Sequence, residues 1–434
     1  VRGVLAELPE SLDETYERIL QQIPRPNQVH AHRLLQCITV AGRPLRVEEL
    51  AEVLAIDFSA TGGNSKVDET LRWEDQEQAV LSTCSSLIAI VEDGGSRLAQ
   101  FSHFSVKEFL TSDRLSASTV DGLHYHHIRL ETAHTIMAQA CLSVLLCLDK
   151  SMDKQTIRSF PLADYAGNYF GNHVEFEDVL SHVTDGVEDL LDPDKPHFYP
   201  WIWLQVDDWY HNSLNGSTIS WITFDSRTKP QYPPRISPLY YVAALGHLSL
   251  TRHIVLKRPQ DLHTKDDEGC TPLHKAVLLG REKVSQLLIE HSIDLSIRDI
   301  QDRTLLHMAT YKGLSTVVRM LLENDGPFKV PVNAQTQEGQ TALHLALRLH
   351  YPSIVSLLLK FGADVDVEDN DNMTPLLLAL QLSLGGSGAA QLLLEHGASI
   401  HVRDKYGRTP LHLASWWSNS SSVAALLLTL GADV

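Results

Sequence analysis

The sequence is poor in the things most chemistry needs. Its five cysteines, Cys37, Cys84, Cys141, Cys147 and Cys270, are odd in number and contain no C-x-x-C pair, which argues against a disulfide framework or a thiolate zinc site. All but Cys270 fall in predicted helices, the pattern of buried, reduced thiols in an intracellular protein. No G-x-x-x-x-G-K-[ST] loop is present to cradle nucleotide phosphates. Gly62-Gly63-Asn64-Ser65-Lys66 has that composition without the spacing, and reads as a loop. No G-x-S-x-G elbow exists, and Ser102-His103 is expected on a strand rather than beside a nucleophile turn.

Basic residues are also scarce. Lys and Arg number 36 against 54 Asp and Glu, a net charge of −18. Residues 1–115 carry a net −7, residues 116–235 a net −8 and residues 236–434 a net −3. With no basic region to neutralise phosphates, nucleic acid is excluded as a partner. The longest apolar stretch, Thr132 to Leu148, is interrupted by His134 and Gln139 and does not suit a bilayer. With no signal peptide visible, a cytoplasmic protein without membrane contact is expected. Hydrophobic and charged contents of 43% and 21% are those of a globular chain, and its length calls for more than one core. The chain begins at Val1, and we expect a fragment of something longer.

Internal repetition is what the chain does have. The anchors Thr271-Pro272-Leu273-His274, Thr304-Leu305-Leu306-His307, Thr341-Ala342-Leu343-His344, Thr374-Pro375-Leu376-Leu377 and Thr409-Pro410-Leu411-His412 follow a weaker Ser237-Pro238-Leu239-Tyr240. Their spacings of 34, 33, 37, 33 and 35 residues match the ankyrin period. Leucine runs such as Leu357-Leu358-Leu359 and terminators such as Gly362-Ala363-Asp364 fall between them. The threonine caps the first helix of each unit, proline suits its first position, and glycine ends the second helix. One such unit cannot bury its apolar face alone, so units stack. About six repeats are expected over 236–434, the array continuing past the end. Insertions around Asn324–Pro331 and Gly385–Gly388 are expected to map to loops. The repeat histidines are assigned to structure, tying neighbouring backbones together.

Binding then falls to what varies at fixed repeat positions. Groove positions beyond the histidine slot are Ala244/Leu245, Leu278/Leu279, Tyr311/Lys312, Arg348/Leu349, Gln381/Leu382 and Trp416/Trp417. Hairpin tips add Asp266, Asp267, Glu268, Asp302, Arg303, Gln337, Glu338, Asp371, Asn372, Tyr406 and Arg408. The adjacent tryptophans head these candidates as hot spots for a protein ligand, with packing against a following repeat as the alternative.

The N-terminal third reads differently. Ser11-Leu12-Asp13-Glu14 is a capping box opening a helix whose stripe is Leu12, Tyr16, Ile19, Leu20 and Ile23. Helices follow near His30–Ala41, Val47–Ala55 and Gln76–Cys84, then strands Leu87–Val91 and Arg97–Phe101 around Asp93-Gly94-Gly95. Ser105-Val106-Lys107-Glu108 is a second capping box. Three helices and a hairpin give a winged-helix domain over 1–115. Its reading helix would begin Glu74-Asp75-Gln76-Glu77-Gln78, which phosphate repels. Residues 116–235 read as a helical linker domain, with Ile136, Cys141, Leu142, Leu145 and Leu146 inward. The aromatic run Phe198, Tyr199, Trp201, Trp203, Trp209 and Tyr210 reads as linker core. His124, His126 and His127 lack ligands to complete a metal site and read as a solvated turn. The fold class is thus mostly α, with no catalytic, cofactor or metal site expected.

Three stretches resemble a known family. Leu8-Pro9-x-Ser11-Leu12-x-x-Thr15-Tyr16-x-Arg18-Ile19-Leu20, Arg43-Pro44-Leu45-x-x-x-Glu49-Leu50 and Phe101-Ser102-His103-Phe104-Ser105-Val106-Lys107-Glu108-Phe109-Leu110 are similar to the winged-helix segment after the NACHT domain of fungal NACHT–ankyrin proteins. Pro161-Leu162-Ala163-x-Tyr165-Ala166 and Leu190-Leu191-Asp192-Pro193-Asp194-Lys195-Pro196-His197-Phe198 resemble the linker of basidiomycete members. Arg46 departs from the pattern, standing where a Ser or Thr cap is common. The resemblance implies a switch whose nucleotide site lies in an upstream NACHT domain, with ankyrin repeats binding a protein ligand. An ankyrin adaptor without a switch, and an accessory part of a hydrolase, are the alternatives.

Overall fold

In the computed structural model the chain divides into two units, 1–235 and 236–434. Residues 12–58, 65–72, 75–118, 120, 122–212, 237–291, 294–325, 329–381, 386–416 and 421–432 are described. Ser11 and the Gly62–Asn64 part of the glycine stretch lie outside them.

The described part of the first unit starts with α1 (Leu12–Gln21) and α2 (Gln28–Val40). Tyr16, Leu20 and Ile23 of the expected stripe are buried, whereas Leu12 is exposed. A short strand β1 (Leu45–Arg46) leads into α3 (Val47–Leu54), and β2 (Ile56–Asp57) pairs with β3 (Lys66–Val67). Helix α4 (Gln76–Cys84) precedes the hairpin of β4 (Ile88–Asp93) and β5 (Ser96–Phe101). Gly94 and Gly95 both take positive φ at its tip, the conformation such a turn demands. The sheet order is β1-β5-β4, with Leu45 opposite Ala99. That third strand completes a winged helix; two residues show too little alternation to be read as a strand.

Helix α5 (Phe104–Leu110) corrects the second capping box. Its N-cap is His103, whose Nδ1 accepts from the Ser105 backbone N–H, and not Ser105. The Ser105 hydroxyl instead bonds Tyr16 Oη at 2.8 Å, fastening α5 to α1. Arg46 supplies no side-chain cap to α3. The return half of the motif survives, because Glu49 accepts from the Arg46 backbone N–H at 2.8 Å. The fully buried Glu49 carboxylate also takes a fork from Arg43 at 2.6 and 2.8 Å, the bidentate geometry that guanidinium favours.

After α6 (Asp113–Ser116), α7 (Leu130–Leu145) packs against α2 and against α9 (Ala163–Val174). Ala133, Ala138 and Ala140 are fully buried, and small side chains let helix axes approach closely. The apolar stretch is therefore a core helix, and among the described residues no helix is long and apolar enough to cross a membrane. Two expectations fail here. Cys147 follows the end of α7 and is exposed, unlike Cys37, Cys141 and Cys270. His126 is not in a solvated turn; it is 2% exposed, its ring 6.2 Å from that of His32. Burial lowers the pKa of each imidazole to about 4.

Helices α8 (Lys154–Arg158), α10 (Val179–His182), α11 (Thr184–Leu190) and α12 (Phe198–Asn212) follow among the described residues. Phe198 and Trp201 are fully buried, with Trp201 edge-on to Phe170 at 6.2 Å. The side chains of Trp209 and Tyr210 lie outside the described residues. Gly167 sits where α9 meets α12, and a Cβ there would lie 2.5 Å from Leu204 Cβ. Gly167→Ala is expected to cost about 1–3 kcal/mol by overpacking, outweighing the better helix propensity of alanine. A lowered urea midpoint for the 1–235 unit checks this; an unchanged or raised midpoint contradicts it.

The second unit pairs α13 (Pro238–Leu245) with α14 (Leu248–Lys257), α15 (Pro272–Leu278) with α16 (Glu282–Glu290), and α17 (Leu305–Tyr311) with α18 (Ser315–Glu323). It continues with α19 (Ala342–Arg348) and α20 (Pro352–Lys360), α21 (Pro375–Gln381) and α22 (Gly386–Glu395), and α23 (Pro410–Trp416) and α24 (Ser421–Thr429). The first helices stack on one another in sequence. Leu239, Leu273, Leu306, Leu343 and Leu376 form a continuous buried line through them. The described part of the glycine insertion is not a loop, because α22 begins at Gly386, while Gly385 lies outside the described residues.

Candidate protein-binding face of the repeat array

Four of the hairpins are built on one aspartate each, and Thr336 takes the slot in the hairpin before Thr341. Asp266, Asp299, Asp369 and Asp404 all stand five residues before the anchor threonine. In Asp299, Oδ1 accepts from the backbone of Gln301 and Arg303, each at 2.9 Å. Asp266, Asp369 and Asp404 make the equivalent pair of bonds. Such an Asx turn shapes the tip. Neighbouring tips are joined by Ile300 N–H to Glu268 O, Gln337 N–H to Gln301 O and Asn370 N–H to Glu338 O, at 3.1–3.2 Å.

The second oxygen of each aspartate meets a cation drawn from a different slot. Arg303 reaches Asp299 at 2.6 Å and Arg408 reaches Asp404 at 2.5 Å, both within their own hairpins. Arg348 comes to 3.9 Å from Asp369. Asp266 takes Lys275 at 3.1 Å, and Glu268 takes the same ammonium at 3.2 Å. Sequence reasoning passed over Lys275. It is fully buried on α15, in the slot that Met308, Leu345, Leu378 and Leu413 fill elsewhere. The signal was there as the one charged residue in an apolar column. Asp266, Glu268 and Cys270 lie together, but the lysine already supplies the positive charge.

The anchor histidines are held as expected. In His274, His307 and His344, Nδ1 accepts from the threonine N–H at 3.1–3.3 Å and pairs with its hydroxyl at 2.8–2.9 Å. Nε2 then donates to a carbonyl of the next repeat: Ile297, Gln340 or Met373. Tyr240, in the same slot of the weak first copy, donates to the Asp266 carboxylate across the same junction. Burial lowers the pKa of His274 and His307 to about 4 and also lowers that of His344.

These bonds sort the candidates. Asp266, Glu268, Arg303 and Arg408 brace hairpins; Asp267 and Asp302 are exposed at the tips. Leu278, Leu279 and Leu349 are half-buried at the ends of first helices. Tyr311 is 51% exposed and Trp416 is 64% exposed, at equivalent ends of α17 and α23, with Tyr406 at 70% on the last tip. The Arg408 guanidinium lies 4.8 Å from the Tyr406 ring centroid and 5.1 Å from that of Trp416. Asp404 fixes that guanidinium, so the two rings are held in place by a cation already anchored. Lys312 and Arg348 follow on adjacent helix ends. Trp417 and Leu382 lie outside the described residues.

Comparison with known proteins finds a winged-helix model and ankyrin models along the chain. Family models for ankyrin repeats match residues 239–331, 328–404 and 388–428, and one described as the GPI inositol-deacylase winged helix domain matches residues 16–120. The azaphilone pigments biosynthesis cluster protein L of Monascus ruber is 29% identical over 304 residues, covering 66% of this chain and 60% of that protein. The chain thus spans less than two thirds of this relative's length. Ankyrin repeat protein 14 of Vaccinia virus (strain Western Reserve) is 37% identical over 57 residues, 13% of this chain and 24% of that protein. Among solved structures, the ankyrin repeat domain of Bcl-3 is 30% identical with a TM-score of 0.41, over 45% of this chain and 87% of that one. An ankyrin repeat domain from Acinetobacter baumannii AYE is 28% identical with a TM-score of 0.42, over 45% and 98%. The chain is a winged-helix domain followed by ankyrin repeats, similar over much of its length to a fungal protein.

Proposed function

We propose that this chain is a non-catalytic protein-interaction region of a fungal NACHT–ankyrin signalling protein. Its repeats bind a protein ligand, and its winged helix relays the nucleotide state of an upstream NACHT domain. The observation that carries the binding reading is the unabsorbed aromatic surface at Tyr311, Tyr406 and Trp416, beside histidines and aspartates that structure uses up. Preorganised rings lose little entropy on binding and are the usual hot spots of interfaces. The fungal relative and the winged-helix match support the wider assignment.

Trp416→Ala and Tyr311→Ala are expected to weaken retention of a partner from fungal lysate at least tenfold, with stability changed by no more than about 0.5 kcal/mol, as befits exposed sites. Loss of stability instead of binding would place these rings in the core. Hydrolysis of ATP or GTP by the purified chain would overturn the non-catalytic part. A phosphate loop encoded upstream of Val1 separates the switch from a plain adaptor.

A further inference from the structure

The ends of the stacked first helices form a row: exposed Tyr311 closes α17 with half-buried Lys312 just after it, exposed Arg348 closes α19, and exposed Trp416 and Tyr406 stand with half-buried Arg408 at the last repeat. The charges along this row are unevenly matched. Arg408 is held by Asp404 at 2.5 Å, and Lys405 by Asp371 at 2.9 Å. Lys312 has no carboxylate within ion-pair distance among the described residues, and its ammonium lies 5.8 Å from its neighbour's ring centroid. Arg348 is 46% exposed at its side chain; the Gln340 amide oxygen, turned toward it, accepts from both Nη groups at 2.8 and 3.0 Å, and the carboxylate at 3.9 Å, Asp369, is 3% exposed and committed to its own turn. Two adjacent repeats thus offer cations whose charge no free carboxylate matches among the described residues, flanked by exposed rings, in a chain whose net charge is −18.

We propose that this row receives an extended acidic segment of a partner protein, one carboxylate meeting Lys312 and another Arg348, with apolar residues of the segment on the Tyr311 and Trp416 rings. The proposal rests on the reading of the array as a protein-binding face and names its ligand chemistry. Adjacent packed helices lie about 8–10 Å apart, and an extended chain advances about 3.3 Å per residue. The two carboxylates therefore fall about three residues apart. The three helix steps from Tyr311 to Trp416 take about seven to nine residues. Arg348 presents a fork suited to a carboxylate, whereas Lys312 acts as a point charge.

The test is selection of random peptides, displayed on phage and long enough to span the row, on the purified full chain. Enriched peptides should carry Asp or Glu about three residues apart between apolar or aromatic residues. A synthetic copy should bind at least tenfold more weakly to Arg348→Glu or Lys312→Glu, and more weakly as salt rises. Lys312→Gln, which cannot unfold a half-exposed site by repulsion, should give a smaller loss. Enrichment of basic peptides, or unchanged binding to both charge-reversed variants, overturns the proposal. Stronger Lys312-dependent binding of single-stranded RNA overturns the choice of partner. If no peptide is enriched while lysate capture stays sensitive to Trp416→Ala, the acidic segment is wrong and the binding face stands. If capture is lost as well, both are wrong.

Discussion

Asp266→Ala should destabilise the repeat array by about 3–5 kcal/mol, the cost typical of stripping one partner from a buried ion pair. Asp266 and Glu268 together neutralise the fully buried Lys275. Removing Asp266 leaves that ammonium with one half-exposed carboxylate. The same change deletes the two backbone bonds that shape the hairpin and the acceptor for Tyr240. Lys275→Met should cost less. The column accepts methionine at Met308, and the stranded Asp266 keeps the two hairpin amides and the Tyr240 hydroxyl. The double variant should recover part of the Asp266→Ala loss, because no charge then stays buried without a partner. Urea unfolding of the four proteins gives the coupling. If the double variant is as unstable as the sum of the singles, the ion pair is not what matters there.

Acid should unfold the chain well before its carboxylates titrate. His274 and His307 of the array and His126 and His173 of the first unit are buried, and His32 half-buried, as neutral imidazoles with pKa values lowered to about 3 or 4. Desolvation is the main cause in each. In the repeat histidines Nδ1 also faces two donors, the threonine amide and hydroxyl, leaving no room for a second ring proton. The unfolded chain binds these protons below about pH 6.5 and the folded chain does not until about pH 4, so stability rises with pH across that window. Each fully buried imidazole then costs about 2 kcal/mol by pH 5. Several acting in one unit rival the whole stability of a domain. Urea midpoints at pH 7 and pH 5 should differ sharply. His344→Leu, which copies the Leu377 slot, should flatten the dependence of the array. A midpoint that does not move between these two pH values would show that the imidazoles are not held neutral.

Much of this was legible in the sequence. Helix α4 was read at its observed bounds, Gln76–Cys84, and the hairpin strands within two residues. The anchors gave the repeat helices, the histidine role and the row holding Tyr311 and Trp416. Less legible were the features in which a side chain answers to something distant. Ser105 looked like a cap, but Tyr16 claims its hydroxyl from 89 residues away. His126 sits among polar neighbours in sequence, yet α2 buries it against His32.

The sequence by itself determined the repeat architecture and the order of the winged helix. Those depend on local periodicity, capping and turn chemistry, which recur within each short stretch of chain. Only the tertiary structure decided which charged groups are buried and paired, such as Glu49 between Arg43 and Arg46, or Lys275 under Asp266. It also decided which aromatic residues stay in water. A burial cost is set by everything that packs around a group, and no local pattern records those neighbours.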